Sequence, residues 1–202
     1  RAEALRALQE RMDYRFEDQA HLDRALTHSS HAHEHASSGA GHNEALEFLG
    51  DAVLGFAVAD LLHRREPTGP EGVKSKRRAA LVSAPSLAER AQRLGLPALL
   101  RLGRGEEKTG GRKKANLWAN AYEAVIAALY LDGGLEPVFG LVERCFGDAL
   151  AGGATLQRDP KTRFQEWAHA TLRETPRYTV IEDSGVEEAE DRFTVAVTVN
   201  GE

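Results

Sequence analysis

Three acidic residues in the middle of the chain have the spacing of one shared helical face. Glu44, Glu47 and Asp51 lie at positions i, i+3 and i+7, with apolar residues between and after them. In a helix this spacing places the three carboxylates on one side. Carboxylates that converge beside apolar neighbours repel one another and lose hydration, which is costly unless a cation or a proton offsets the charge. The pattern predicts half of a metal site, and the alternative is a solvated acidic stripe on an amphipathic helix.

A second polar pair lies inside the apolar segment 115–131. Asn120 and Glu123 are three residues apart, so they also share a helical face. If the two helices pack together, this pair joins Glu47 and Asp51 in a set of hard oxygen ligands that suits Mg²⁺, or Mn²⁺ in its place. A cation held there could activate water and stabilise negative charge on a phosphate leaving oxygen. Acids at this spacing are common, so the pattern alone is only moderately specific.

The elements that must position these residues are predicted to be helical over the first 150 residues, where apolar residues recur at spacings of three and four. The expected helices cover residues 4–12, 18–27, 43–65, 71–81, 86–94, 115–131 and 136–150. Asn43 is the expected N-cap of the long third helix, and Pro85 is expected to separate two helices. The segments 31–41 and 101–114, rich in small or basic residues, are predicted to be loops.

The pattern changes in the last quarter of the chain. The predicted elements there are a linker (152–159), a helix (161–173) and two strands (178–181 and 193–199). Two strands and one helix make a thin core for independent stability. We therefore predict an all-α domain over residues 1–151, followed by a small α+β domain over residues 160–202 that is truncated after its second strand.

Composition restricts the class of protein. The chain has 202 residues, a net charge of −5 and 42% hydrophobic residues, which is enough for a packed core. It has no apolar stretch of the roughly 18 residues that a membrane helix needs, and no secretory signal leads it. Cys145 is the only cysteine, which excludes an internal disulfide and favours a reducing cytoplasm. Without a paired base it has no expected nucleophilic role.

Basic residues are clustered despite the negative net charge. Four lie within residues 74–78, and six dominate the Gly-rich segment 101–114. Local clusters of this kind form phosphate-seeking surfaces whatever the total charge is. The alternative, solvated faces of ordinary helices, suits the first cluster equally well and the second cluster less well.

Five of the eight histidines lie within residues 28–42. The spacing of His31, His33 and His35 could bind Zn²⁺ or Ni²⁺, but the segment has no cysteine and no fixed geometry. We therefore favour a loop without metal, and we expect His28 to have a structural role.

The acidic segment 43–51, N-E-A-L-E-F-L-G-D, resembles the signature of the ribonuclease III family, endonucleases that act on double-stranded RNA and are related to Dicer and Drosha. Other motifs agree with the family in order: Ala25-Leu-Thr-His28, Glu71-Gly, Arg78-Ala-Ala-Leu-Val82, Leu102-Gly-x-Gly-Glu106, Gly110-Gly111 and Asp159-Pro-Lys-Thr-Arg-Phe-Gln-Glu166. The last of these resembles the first helix of the family's C-terminal RNA-binding domain. Several separated motifs in one order are far more specific than any one of them.

The resemblance implies roles for five residues of the helical domain. Glu47, Asp51 and Glu123 match the family's metal-binding acids, and Glu44 matches a further acid of the signature that supports the site. Phe48 matches an aromatic residue that packs into the partner subunit of the family's homodimer. Glu47, Asp51, Glu123 and Glu44 are therefore the expected catalytic residues.

The resemblance also implies contacts with RNA. Thr162 and Gln165 match polar positions on a helix that reaches the minor groove of double-stranded RNA. A module of this type reads the shape of the duplex and its 2′-hydroxyl groups more than its sequence. Glu71 matches an acid beside the catalytic valley. Outside the motif, Thr162 and Gln165 would be an ordinary exposed helix face.

Asn120 departs from the family pattern, which has Asp at this position. Its amide oxygen can ligate a cation but brings no negative charge, so we expect metal affinity to fall by about 10-fold or more.

The implied activity is Mg²⁺-dependent hydrolysis of phosphodiester bonds in double-stranded RNA by a homodimer, leaving 5′-phosphate ends and short 3′ overhangs, in rRNA and mRNA processing. The alternative that Asn120 suggests is a cleavage-impaired protein that binds double-stranded RNA. A third reading, a helical hydrolase of small phosphate esters, leaves the RNA-binding helix unexplained.

Overall fold

The computed structural model describes residues 1–35, 41–151, 160–185 and 192–199, and the chain divides into two compact units, residues 1–154 and 155–202. The first unit is helical. Its helices are α1 (Ala2–Met12), α2 (Gln19–Ala25), α3 (Ser29–Glu34), α4 (Glu44–Arg65), α5 (Glu71–Leu81), α6 (Ala84–Leu94), α7 (Leu96–Leu99), α8 (Arg104–Lys108), α9 (Ala115–Gly133) and α10 (Leu135–Ala151). A 3₁₀ turn, Gly111–Lys113, precedes α9. Within the described ranges, no helix is long and apolar enough to cross a lipid bilayer.

Helix α9 lies at the centre of the first unit. It packs most extensively against α4 and α6, and its residues are buried on every side over most of its length. A helix that is apolar all round is expected inside a bundle and not on its surface. The many alanines of α9 reduce its diameter, so that neighbouring helices approach it closely.

The closest approach between α4 and α9 occurs at Gly50. A Cβ atom at this position would lie only 1.8 Å from the main-chain oxygen of Glu123. Glycine is therefore required here because it lets two helix backbones touch without a side chain between them. This contact aligns the turn of α4 that contains Glu47 and Asp51 with the turn of α9 that contains Asn120.

The far end of α9 is tied to the chain segment after α1. The Asp132 carboxylate accepts hydrogen bonds from the Tyr14 hydroxyl at 2.8 Å, from the N–H of Glu17 at 2.8 Å and from the N–H of Asp18 at 2.9 Å. These bonds to the charged form lower the pKa of Asp132 although its desolvation acts in the opposite direction. Burial and the neighbouring Asp132 raise the pKa of Tyr14 to about 12.

The predicted helices over residues 43–65 and 71–81 are confirmed, with boundaries that differ by at most one residue. The prediction that Pro85 separates two helices is wrong, because Pro85 lies in the first turn of α6, where its missing N–H costs nothing. Two predicted loops also contain helix. Helix α3 covers the start of segment 31–41, of which residues 36–40 lie outside the described residues, and α8 lies inside segment 101–114.

The second unit contains α11 (Pro160–Leu172) and two strands, β1 (Arg177–Asp183) and β2 (Phe193–Thr198). The strands are antiparallel, with Val180 opposite Val195, and a bulge interrupts the register between Val180 and Glu182. An all-α unit followed by a small α+β unit confirms the predicted fold class. The proposed linker 152–159 lies outside the described residues.

Candidate active site

The acidic face of α4 begins with the first turn of the helix. Asn43 occupies the N-cap position as predicted, but its side chain makes no capping hydrogen bond. Instead its N–H donates to the main-chain oxygen of Thr27 at 2.9 Å, which fixes the start of α4. Glu44 and Glu47 then lie in the first turn, where negative charge is favoured by the helix dipole. Glu44 is exposed, and its carboxylate is 3.7 Å from the His42 ring.

Side chains of α4 and α9 interact across the Gly50 contact. The Asn120 side chain lies close enough to the Glu47 carboxylate to lower its pKa, as expected of an amide N–H directed at a carboxylate, which can only accept. Glu123 lies within electrostatic range of Asp51 and Glu47. The four residues predicted to bind metal therefore lie on neighbouring turns of α4 and α9, with Asn120 near Glu47, and Glu123 near Asp51 and Glu47.

The protonation of these acids reflects crowding of negative charge. Burial, and then the charges of Asp51 and Glu47, raise the pKa of Glu123 from 4.5 to about 7. Burial and the charge of Glu44 raise the pKa of Glu47, whereas the Asn120 amide lowers it. A raised carboxylate pKa means that the ionised form lacks a compensating positive charge. A cation would supply that charge.

The donor set fits a divalent cation without forming a closed cage. Three carboxylates and one amide provide hard oxygen ligands, the type that Mg²⁺ and Mn²⁺ prefer. Among the described residues, however, no three His, Cys, Asp or Glu side chains are arranged as a ready metal cluster.

Phe48 follows Glu47 directly but points away from α9. Its side chain is 82% exposed, the largest value for any apolar residue in the described part of the chain. Such exposure is unfavourable for a side chain of this size. An apolar side chain of this kind, one residue from the acidic face, indicates an interaction surface.

The remaining predicted RNA contacts are on other elements. Glu71 is the first residue of α5, where it is exposed and accepts a hydrogen bond from the Ser75 hydroxyl at 2.7 Å. Gln165 is half-buried on α11. Thr162 belongs to the same helix, but its side chain lies outside the described residues.

Segment 101–114 was predicted to be a loop whose basic side chains are free to bind phosphate. In the structure, two of these side chains bind other parts of the protein. Arg112 pairs with Glu107 at 2.7 Å and also donates to two main-chain oxygens, at 2.6 and 3.1 Å. Lys114 pairs with Glu106 at 2.8 Å. These two cations are therefore structural, since their donors are directed at the protein.

His31 in α3 and His35 directly after it contact each other through their rings. The rings of His31 and His35 stack with centroids 4.2 Å apart, whereas metal ligands must direct nitrogen atoms at one point. The described residues include no metal cluster of histidines. His28 has the expected structural role, because its ring accepts a hydrogen bond from the N–H of Ser30 at 3.2 Å and caps α3.

Sequence reasoning missed the part that Gly50 plays in the site. A glycine in the middle of an amphipathic helix costs about 1 kcal/mol relative to alanine, so its presence signals a close approach of another chain segment. That signal was available from the sequence. The identity of the approaching atom, the main-chain oxygen of Glu123, was not.

Comparison with known proteins agrees with this architecture. Residues 18–148 match the family model described as "Ribonuclease-III-like". The chain is 48% identical over 186 residues to Ribonuclease 3 of Heliobacterium modesticaldum, covering 92% of this chain and 79% of that protein. It is 47% identical over 201 residues to Ribonuclease 3 of Geobacter sulfurreducens, covering 98% of this chain and 80% of that protein.

A solved structure is also similar. The nuclease domain of ribonuclease III from Campylobacter jejuni superimposes with a TM-score of 0.63 and 37% sequence identity, covering 69% of this chain and 93% of that domain. The description of that structure refers to a region involved in dimer formation.

Proposed function

The chain belongs to the ribonuclease III family of endoribonucleases, and we propose that it hydrolyses phosphodiester bonds in double-stranded RNA as a metal-dependent homodimer. The observation that carries the proposal is the convergence of Glu47, Asp51, Asn120 and Glu123 across the contact between α4 and α9. The raised pKa of Glu123 supports the proposal, because a bound cation would supply the positive charge that these acids lack. The proposed setting is rRNA and mRNA processing in the cytoplasm.

The residues proposed to hold the cation are Glu47, Asp51, Asn120 and Glu123, with Mg²⁺ as the cofactor and Mn²⁺ as a substitute. When bound, such a cation lowers the pKa of water and stabilises negative charge on phosphate oxygens. Glu123 must be ionised to ligate it, which its neighbours oppose near neutral pH. Glu44, at the rim of the site, adds negative charge beside Glu47 and so favours a cation over a neutral ligand.

The RNA ends proposed as products follow from the presence of two cleavage sites in a dimer. Two copies related by a two-fold axis present two acidic sites to one duplex, and each site hydrolyses one strand. The offset between the sites leaves a short 3′ overhang and a 5′-phosphate. In this proposal Phe48 belongs to the dimer interface, Glu71 lies beside the RNA, and the second unit, through Thr162 and Gln165, grips the minor groove.

Cleavage of a long perfect RNA duplex tests the proposal. With Mg²⁺ we expect short double-stranded products bearing 5′-phosphate ends, and no cleavage after the metal is removed. Uncut duplex in Mn²⁺, even with Asn120→Asp, would contradict the proposed nuclease activity.

Asn120→Asp is expected to cleave about 10-fold faster at limiting Mg²⁺. The variant restores a carboxylate to the donor set and removes the amide that lowers the pKa of Glu47. The difference should vanish at saturating Mg²⁺, because it comes from metal affinity. A Mg²⁺ titration of initial cleavage rates measures both limits.

Asn116→Asp is the matched control for this variant. Asn116 is exposed in the first turn of the same helix, one turn before Asn120, so its replacement adds the same charge to the same helix outside the proposed donor set. Equal rates for the original chain and Asn120→Asp across the titration would remove the idea that Asn120 limits metal binding.

Phe48→Glu is expected to weaken dimerisation by at least about 100-fold. Burial of a phenylalanine side chain contributes about 1.5–3 kcal/mol, and a two-fold interface buries this residue twice. Sedimentation velocity at several protein concentrations measures the change. Val73→Glu is the control, since Val73 is an exposed apolar residue on α5. A dimer of unchanged affinity in Phe48→Glu would place the interface elsewhere.

A further inference from the structure

A cavity with a mixed polar and apolar lining lies in the first unit, between residues of α1, α6 and α10. Its volume is about 600 Å³, which is within the range of sites for small molecules. The charged residues that line it are Arg11, Arg90, Arg93, Arg144, Glu89 and Asp148. We refer to this cavity as the arginine pocket. Four positive and two negative side chains give it a positive balance, although the whole chain carries a net charge of −5.

Arg90 is the most unusual side chain of the arginine pocket. It is only 8% exposed, and in the described part of the chain no carboxylate pairs with it. Its guanidinium donates to the main-chain oxygen and the hydroxyl of Ser86, at 2.9 and 2.7 Å, and lies 3.9 Å from the centroid of the Phe146 ring. A buried charge without an ionic partner is costly, so an anion in the adjacent cavity would stabilise it.

The polar atoms around Arg90 are also poorly paired. The Nε of Arg90 and the hydroxyl of Tyr122 are buried and make no hydrogen bond of ordinary geometry. Arg90 and the Cys145 thiol are the titratable groups that act on Tyr122, and a thiol is a weak hydrogen-bonding group. Unsatisfied donors in a native interior usually mark a bound water, ion or ligand.

The other three arginines are exposed, and each has a partner but also donors to spare. Arg144 pairs with Asp13 at 3.5 Å. Arg11 donates to the main-chain oxygen of Leu94 at 2.9 Å, and Arg144 donates to the main-chain oxygen of Met12. Arg93 pairs with Glu89 at 2.5 Å on the exposed rim. Because a guanidinium has five N–H donors in a rigid fork, each of these side chains can also bind an anion that enters the pocket.

We propose that the arginine pocket binds a small phosphate anion, of the size of inorganic phosphate or pyrophosphate. Arginine forks match phosphate oxygens in a bidentate manner, and several of them converge here from three helices. The site is separate from the acidic residues of α4 and α9, and its sign of charge is the opposite. The inference does not depend on the proposed nuclease activity, because it concerns binding of an anion without metal.

Isothermal titration calorimetry with pyrophosphate tests the proposal, with the full chain in buffer freed of metal by a chelating resin. We expect saturable binding at one site per chain. Arg93→Gln and Arg11→Gln should each weaken it by about tenfold, the usual effect of losing one charge-assisted pair. Glu89→Gln should strengthen it, because it releases Arg93 from its ion pair.

Arg104→Gln is the matched control, since Arg104 is exposed on α8 outside the pocket. Binding of pyrophosphate should be unchanged in this variant. An equal loss in Arg104→Gln and Arg93→Gln would overturn the proposal, because it would show attraction to general positive charge. Absence of saturable binding would overturn it as well.

The same variants distinguish a free anion from a phosphate of RNA. In metal-free buffer, Arg93→Gln should leave the affinity for a short RNA duplex unchanged, as expected for a pocket of limited volume that takes a small anion. A parallel loss of duplex and pyrophosphate binding would overturn the proposal in favour of an RNA contact.

Discussion

Glu123→Gln is expected to reduce cleavage of double-stranded RNA by at least about 100-fold. Changes in the surroundings of a metal ligand typically cost 10–100-fold, and this substitution removes the charge of a proposed ligand itself. Glutamine has nearly the same shape as glutamate, so the loss would come from charge and not from packing. Initial rates at saturating Mg²⁺ measure the effect.

The same variant should be more stable than the original chain when metal is absent. The pKa of Glu123 is about 7 in the folded protein, against about 4.5 when unperturbed. As pH rises from 4.5 to 7 the unfolded chain loses this proton first, so the stability of the folded protein falls over that window. The glutamine side chain of the variant has no proton to lose. At pH 8 we expect a gain of about 1–2 kcal/mol after allowance for solvent screening.

Thermal unfolding in metal-free buffer at pH 5 and pH 8 checks whether Glu123→Gln increases stability as expected. The Tm of Glu123→Gln should exceed that of the original chain by about 3–6 °C at pH 8, and by less at pH 5. Added Mg²⁺ should raise the Tm of the original chain more than that of the variant. Glu10→Gln, at an exposed position of α1, is the control. A variant that loses stability at pH 8 would contradict the proposed crowding of charge.

Gly50→Ala is expected to destabilise the protein by about 3 kcal/mol, or about 10 °C in Tm. The added methyl group would lie 1.8 Å from the main-chain oxygen of Glu123, so α4 and α9 must separate. The clash is with the main chain of α9 and not with a flexible side chain, so a rotation of one side chain cannot relieve it. Separation of these helices also moves the acids apart, and we expect cleavage to fall together with stability.

Gly55→Ala is the matched control on the same helix. A Cβ atom at this position would have no neighbour within 4 Å. Removal of a glycine from a helix interior should then stabilise the protein by about 0.5–1 kcal/mol. The two substitutions are chemically identical and should have opposite signs. A Tm for Gly50→Ala within about 2 °C of the original chain would show that the contact is not tight.

The sequence alone predicts those parts of the fold in which apolar residues recur at a regular spacing. Helices α4 and α5 follow from apolar spacing, as do the converging faces of α4 and α9. Pro85 was misjudged because a proline that ends one helix and a proline that begins the next look alike in sequence. Only the position of the first hydrogen-bonded turn distinguishes them.

Pairings between distant or irregular positions could not be predicted. The ion pairs of Arg112 and Lys114 join residues five and eight positions apart, across the turn that follows α8. No helical or strand period gives these separations, so the two cations were assigned to a phosphate-binding surface. The burial of Arg90 could not be predicted either, because it depends on α6, α9 and α10 together.

The adjacency of Glu47 and Phe48 has a consequence for kinetics. One turn of helix α4 carries both a proposed ligand of the cation and the most solvent-exposed aromatic ring of the described chain. Contact of that ring with a second copy would therefore constrain the same turn of α4 that carries the Glu47 carboxylate. The cleavage rate per subunit should therefore decline on dilution. Dilution favours monomers, in which contact with a partner no longer fixes the position of the Glu47 carboxylate.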